Sequence, residues 1–143
     1  MTKQQMIELL NGDIRNEYKH MNFYLHSACI IQGLHREELR EYLLEEASRE
    51  MKHVKEFADL IVGLGGQPQC LPNEFPTNIT DPLNILRYAF DMETEVVANY
   101  VERINQATEL GGVDGKWIEI FLESQIQDSR EDVDNLSQMI LGV

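Results

Sequence analysis

The sequence predicts an all-α four-helix bundle made of two antiparallel helical hairpins joined by a long crossover. Three observations carry this reading. Gly and Pro fall in a few places only, and they cut the chain into four blocks of similar length. Within each block apolar residues recur at three- and four-residue steps, the period of a helix with one buried face rather than the alternation of a strand. Apolar residues make up 43% of 143 positions, enough for the core of one domain in a chain too short for two.

The first helix is expected over 2–32, weakened only at Gly12-Asp13, with Ile7, Leu10, Ile14, Glu17, Met21, Tyr24, Ala28 and Ile31 inward. Gly33-Leu34-His35 then breaks the chain. The second helix, 36–64, turns Leu39, Leu43, Glu46, Glu50, His53, Phe57, Leu60 and Leu64 inward. Gly65-Gly66-Gln67-Pro68 stops it, because glycine lets the backbone leave the helix and proline cannot continue it. Pro68, Pro72 and Pro76 make 67–80 irregular, a crossover long enough to run the length of the bundle. Asp81-Pro82 is a capping residue followed by proline at the first helical position, and it opens the third helix, 82–110. Its inward face is Leu86, Ala89, Glu93, Val97, Tyr100, Ile104 and Ala107. After Gly111-Gly112 the fourth helix, 114–141, points Ile118, Leu122, Gln125 or Ile126, Ser129, Val133, Leu136 and Ile140 inward. Residues 1–143 thus read as a single domain, and four such helices pack as a bundle.

Composition narrows the function. Twelve Lys and Arg face twenty-five Asp and Glu, a formal net charge of −13. With no basic stripe to neutralise phosphates, a nucleic-acid partner is excluded, whereas cationic partners such as metal ions suit the charge. No apolar leader and no run of about 18 apolar residues occurs, so a soluble, cytoplasmic protein without a membrane partner is expected. Cys29 and Cys70 are too few for a disulfide scaffold and read as a small helix residue and a loop thiol.

The inward faces contain an anomaly. Glu17, Glu46, Glu50, His53 and Glu93 stand where the pattern calls for apolar side chains. An unpaired buried carboxylate costs several kcal/mol, so such residues need protons, partners or a metal. Depth sharpens the point. Glu17 precedes the first turn by about as many residues as Glu50 follows it, which at ~1.5 Å per residue sets them level. Glu93 falls level with Ser129 of the fourth helix. Glu50-Met51-Lys52-His53 places a carboxylate and an imidazole one turn apart, and carboxylates with few imidazoles suit iron or manganese better than zinc. The competing reading of Glu50 and His53 is a metal-free hydrogen-bonded pair. Glu46 reads equally as a partly exposed carboxylate, and Tyr24 as an ordinary core tyrosine. His20, His26 and His35 lack a partner pattern and are expected at the surface, and Trp117 in packing or an interface.

Glu17 with Tyr24 seven residues on, Glu50-Met51-Lys52-His53, Gly65-Gly66, Asp91-Met92-Glu93 and Asn99-Tyr100-Val101-Glu102-Arg103-Ile104 together resemble the ferritin and bacterioferritin family across nearly the whole chain. The resemblance implies a ferritin-like bundle in which one or two irons per chain are oxidised by dioxygen, with ferric mineral stored in a homo-oligomer. It implies Glu17, Glu50, His53 and Glu93 as iron ligands, Tyr24 as the tyrosine of the site and Glu46 as an auxiliary carboxylate. In that family the methionine of the Glu-Met-Lys-His step binds haem, which would place haem b at Met51; a plain surface methionine is the alternative. Bacterioferritins carry a second Glu-x-x-His on the fourth helix, where the ungapped match here falls on Ile126 and Ser129. Gln125 is then the nearest polar ligand, with Gln127 and Asp128 pointing away, and a weaker second cation leaning on Glu93, Glu50 and water is expected. The sequence stops at Val143 after the fourth helix, so the short fifth helix of the family's large cages is not expected. Two other functions fit the same residues: a di-iron oxygenase or peroxidase, and a non-enzymatic bundle with a degenerate metal site.

Overall fold

A computed structural model of the chain describes residues 1–142; Val143, the last residue of the expected domain, lies outside them. Four helices follow one another, α1 (Lys3–Ile30), α2 (Arg36–Gly63), α3 (Pro82–Leu110) and α4 (Gly112–Leu141), with no strand among the described residues. None of these helices is long and apolar enough to cross a membrane. The ends lie within two residues of the predicted ones.

Local chemistry accounts for the starts. Thr2 and Gln5 form a reciprocal capping box, in which Thr2 Oγ1 accepts from the Gln5 N–H at 3.1 Å and Gln5 Oε1 accepts from the Thr2 N–H at 2.9 Å. Asp81 accepts from the Asn84 N–H at 3.0 Å, ahead of Pro82 at the first helical position. Helix α2 has no side-chain cap, and Glu37 and Glu38 instead place negative charge at its positive end.

The crossover is pinned along α1. Asn11 donates to the Gln67 carbonyl at 3.1 Å and accepts from the Gln69 N–H at 2.9 Å. Farther on, the Asn73 N–H reaches the Arg15 carbonyl at 3.1 Å and His26 Nε2 donates to the Thr77 carbonyl at 2.7 Å. The Gln32 N–H closes the series on the Thr80 carbonyl at 3.0 Å. Because both sets of numbers rise together, the crossover travels beside α1 in the same direction. It therefore delivers α3 to the end of the bundle where α2 began, and α2 and α3 run parallel.

The apolar core is split in two. Met6, Leu10, Ile14, Phe57, Ile61, Tyr100, Ile118 and Leu122 fill one end, with Phe57 edge-on to Phe121 at 4.9 Å between ring centroids. Phe23, Tyr24, Ile31, Leu43, Ile85, Leu86 and Leu136 fill the other. Between them lies a polar layer. At three steps the buried residue is not the one expected: His20 rather than Met21, Val96 rather than Val97, and Asp132 rather than Val133. A bundle helix buries a face wide enough to hold neighbouring positions at each turn, so choosing the more apolar neighbour misplaces the polar ones.

Close packing tests this fold directly. A Cβ on Gly115 would stand 2.5 Å from the Ala107 carbonyl oxygen, where α4 passes the last turn of α3. Gly115→Ala should therefore lower stability by about 1–3 kcal/mol, read as a lower urea midpoint. Gly12, inside α1, has no atom within 4 Å of an added Cβ. Gly12→Ala should raise stability by about 0.5–1 kcal/mol in the same assay.

Candidate metal centre

Three helices supply the donors at the centre of the polar layer. Helix α1 brings Glu17 and His20 one turn apart, α2 brings Glu50 and His53 at the same spacing, and α3 brings Glu93. All five are buried, none more than 2% exposed. Their donor atoms gather into two sets, Glu17 with Glu50 and His53, and His20 with Glu50 and Glu93, each within 4.8 Å. Glu50 belongs to both. Its Oε2 lies 3.2 Å from His53 Nδ1, and its Oε1 lies 3.8 Å from His20 Nδ1. Glu17 Oε2 stands 3.5 Å from His53 Nδ1, and Glu93 Oε1 stands 3.2 Å from His20 Nδ1. Each set thus holds two carboxylates and one imidazole.

His20 corrects the sequence reading, which left it at the surface. Its signal was present: Glu17-Tyr18-Lys19-His20 is itself a Glu-x-x-His step, with the spacing of Glu50 to His53. An imidazole thus stands beside Glu50 and Glu93 from α1, at a level where α4 offers none. Asp128 is a second correction. Instead of pointing away it lies half-exposed with Oδ2 3.2 Å from His53 Nε2. The cause is register. Buried positions on α4 alternate by threes and fours through Leu122, Gln125, Ser129 and Asp132, which turns Asp128 toward α2.

The remaining candidates lie around the cluster rather than in it. Glu46 is buried and accepts from Arg49 at 3.1 Å, and the same guanidinium reaches Asp132 at 2.7 Å. Asp132 was missed by the sequence reading in favour of Val133. Gln125 is buried and donates to Glu56 at 3.3 Å, away from both sets. Met51 is 57% exposed and touches neither. Tyr24 donates its hydroxyl to Glu93 Oε1 at 2.9 Å, and the Tyr100 hydroxyl donates to Glu17 Oε1.

These contacts leave one oxygen of each carboxylate unpaired. Glu17 Oε2, Glu50 Oε1 and Glu93 Oε2 are buried and have no hydrogen-bond donor. A buried acceptor without a partner costs about 1–3 kcal/mol, which a bound cation would relieve. Hard carboxylate oxygens with one imidazole per set fit divalent iron or manganese. The residues therefore fit a pair of such ions, with Glu50 as the shared ligand.

Without a cation the cluster compensates itself with protons. Burial, reinforced by the Glu50 charge, pushes the Glu17 carboxyl up to about 7. Burial opposes charge on His53, yet the carboxylates of Glu17 and Glu50 beside it prevail and push the imidazole up to about 12. His20 is raised in the same way by Glu93 and Glu50 against its burial. Burial and Glu93 press the Glu50 pKa upward, but the close approach of Glu17, His20 and His53 outweighs them and holds it below the usual range. One turn before Glu17, burial pushes Asp13 up to about 6 although Arg103 grips it through two bonds of 2.8 and 3.0 Å.

A family profile described as a ferritin-like domain matches residues 7–141. Among solved structures, the chain is 29% identical to a ferritin-like, diiron-carboxylate protein from Bacillus anthracis, covering 96% of each chain with a TM-score of 0.88. A bacterioferritin from Rhodobacter capsulatus with a metal-free dinuclear site is 23% identical over 96% of this chain and 84% of that one, TM-score 0.81. A Desulfovibrio desulfuricans bacterioferritin is 21% identical over 96% and 79%, TM-score 0.87, and these two share the fold. No curated protein sequence matches the chain.

The proton inventory fixes the pH response of metal-free protein. Glu17 at about 7 against 4.5, Asp13 at about 6 against 3.8 and His53 at about 12 against 6.5 all have raised folded-state values. Their stabilising effect is complete below the lower value of each pair and is lost as pH rises through the higher one. Metal-free protein should therefore lose stability between about pH 4 and 7, with Glu17 alone costing about 3 kcal/mol. Urea melts in chelator across that range measure this, and manganous ion should restore stability most at the high end. A midpoint that rises from pH 4 to 7 in chelator would contradict this inventory.

Proposed function

Because the chain belongs to the ferritin-like domain family, we propose that it binds ferrous iron at Glu17, His20, Glu50, His53 and Glu93 and oxidises it with dioxygen. The observation that carries this reading is the pair of buried donor sets sharing Glu50, with an unpaired oxygen on every carboxylate. Ferrous iron is the substrate, and each ion gives one electron to dioxygen. The protein's part is to hold two ions side by side and to favour the higher charge. Three carboxylates do this in a layer closed off by apolar clusters, where little solvent screens the interaction. Tyr24 and Tyr100 fix Glu93 and Glu17 by their hydroxyls. His20 and His53 each surrender a proton to accept an ion, and Glu17 surrenders another.

The acidic excess raises the local concentration of ferrous ions around the chain. Storage of the ferric product within a homo-oligomer belongs to the same reading, as does a cytoplasmic setting. Ile126 and Ser129 on α4 suit a degenerate, non-enzymatic site, whereas His20 beside Glu50 and Glu93 supports two ions.

Two measurements test the reading. Anaerobic titration should show two ferrous ions per chain of comparable affinity, with release of about two to three protons per pair. Glu50→Gln should abolish both. His20→Ala should retain about one ion and slow oxidation under air by about 10–100-fold, since the second ion loses its only imidazole. Two undiminished equivalents in His20→Ala would remove that residue from the site.

A further inference from the structure

Helix α4 gives no carboxylate or imidazole to either donor set, yet it meets α2 at the level of the site through three polar pairs. Gln125 donates to Glu56 at 3.3 Å, His53 Nε2 lies 3.2 Å from Asp128 Oδ2, and Arg49 donates to Asp132 at 2.7 Å. Positions descend by threes and fours on α2 as they ascend on α4, so two antiparallel helices are held in register by these pairs. Only the middle pair contains a residue of the metal centre.

In that pair the two nitrogens of one ring face different partners. His53 Nδ1 lies 3.2 Å from Glu50 Oε2 and 3.5 Å from Glu17 Oε2, whereas Nε2 faces Asp128. An imidazole offers a cation one nitrogen, which must be free of its proton, while the other keeps its N–H. A carboxylate on that N–H selects the tautomer, fixes the plane of the ring and makes the ligating nitrogen more basic. We propose that Asp128 is a positioning residue of the metal centre: it accepts the Nε2–H of His53 and so presents Nδ1 to a cation held by Glu17 and Glu50. Helix α4 then acts on the site through His53 instead of ligating an ion itself. This proposal rests on the iron-site reading above.

Asp128 has a side chain 39% exposed, so its replacement removes the hydrogen bond without emptying the core. The full chain, labelled with ¹⁵N in its imidazoles, is titrated with zinc(II) against a chromophoric chelator and observed by NMR. Asp128→Ala should weaken the zinc site containing His53 by about 10–100-fold. Asp128→Asn, whose side-chain oxygen can still accept the N–H, should lose less. The zinc-loaded wild type should show His53 as a single Nε2–H tautomer whose proton exchanges slowly, and Asp128→Ala should exchange it faster. A merely structural role for Asp128 would leave that tautomer and its exchange unchanged. Glu50→Gln separates the two readings. If it abolishes zinc binding while Asp128→Ala binds as tightly as wild type, or exchanges the His53 proton as slowly, the positioning role is overturned and the site stands. If Glu50→Gln binds zinc like wild type, the metal site and the role of Asp128 fall together.

Discussion

A carboxylate placed midway along a helix bundle must be compensated, and the compensation demanded by Glu50 organises the structure around it. Glu50 is fully buried and touches a donor of both metal sets. Water cannot reach it, so charge must come from neighbouring side chains or from an ion. His20 and His53 provide it on one level, and Glu17 brings a proton. Glu93 adds charge of the same sign on the far side, which makes an apolar surround untenable there. The division of the core into two apolar clusters follows from this one group and its company.

That division has a cost in cohesion. Apolar contact locks α1 to α2 and α3 to α4 at both ends, while the centre of the α2–α4 seam is joined by Arg49 with Asp132, His53 with Asp128 and Glu56 with Gln125. Pairs of this kind contribute much less than packed side chains when solvent reaches them, as it does at Arg49 and Asp128. The seam is thus the least cohesive part of the bundle at the level where the donors lie. On the other side of the layer, Asp13 and Arg103 tie α1 to α3 beneath Glu17, and Tyr100 completes the link.

Much of this arrangement was legible in the sequence. Helix number, turns and crossover followed from Gly, Pro and a three-to-four-residue period, because these residues act on the backbone locally. Glu17, Glu50, His53 and Glu93 could be placed on a common level by counting from the turns. His20, Asp128 and Asp132 could not be placed by the same rule. At two of these turns a polar residue adjoins an apolar one, Met21 beside His20 and Val133 beside Asp132, and periodicity favours the apolar neighbour. A rule built on apolar burial fails where a site needs polar burial. The Glu-x-x-His spacing at Glu17 would have found His20, whereas Asp128 depended on the register between α2 and α4, which no local pattern encodes.

The distribution of donors along the chain also bears on how the centre comes together. Four of the five lie between Glu17 and His53 on one hairpin, and Glu93 follows 40 positions after His53. Closing a short hairpin costs less chain entropy than assembling residues from distant segments, so local pairs form first. During synthesis the α1–α2 hairpin leaves the ribosome before α3 exists, already carrying Glu17, His20, Glu50 and His53. The donors of the centre are thus divided in time as well as in space: four are made with the first hairpin, and Glu93 joins them only with α3.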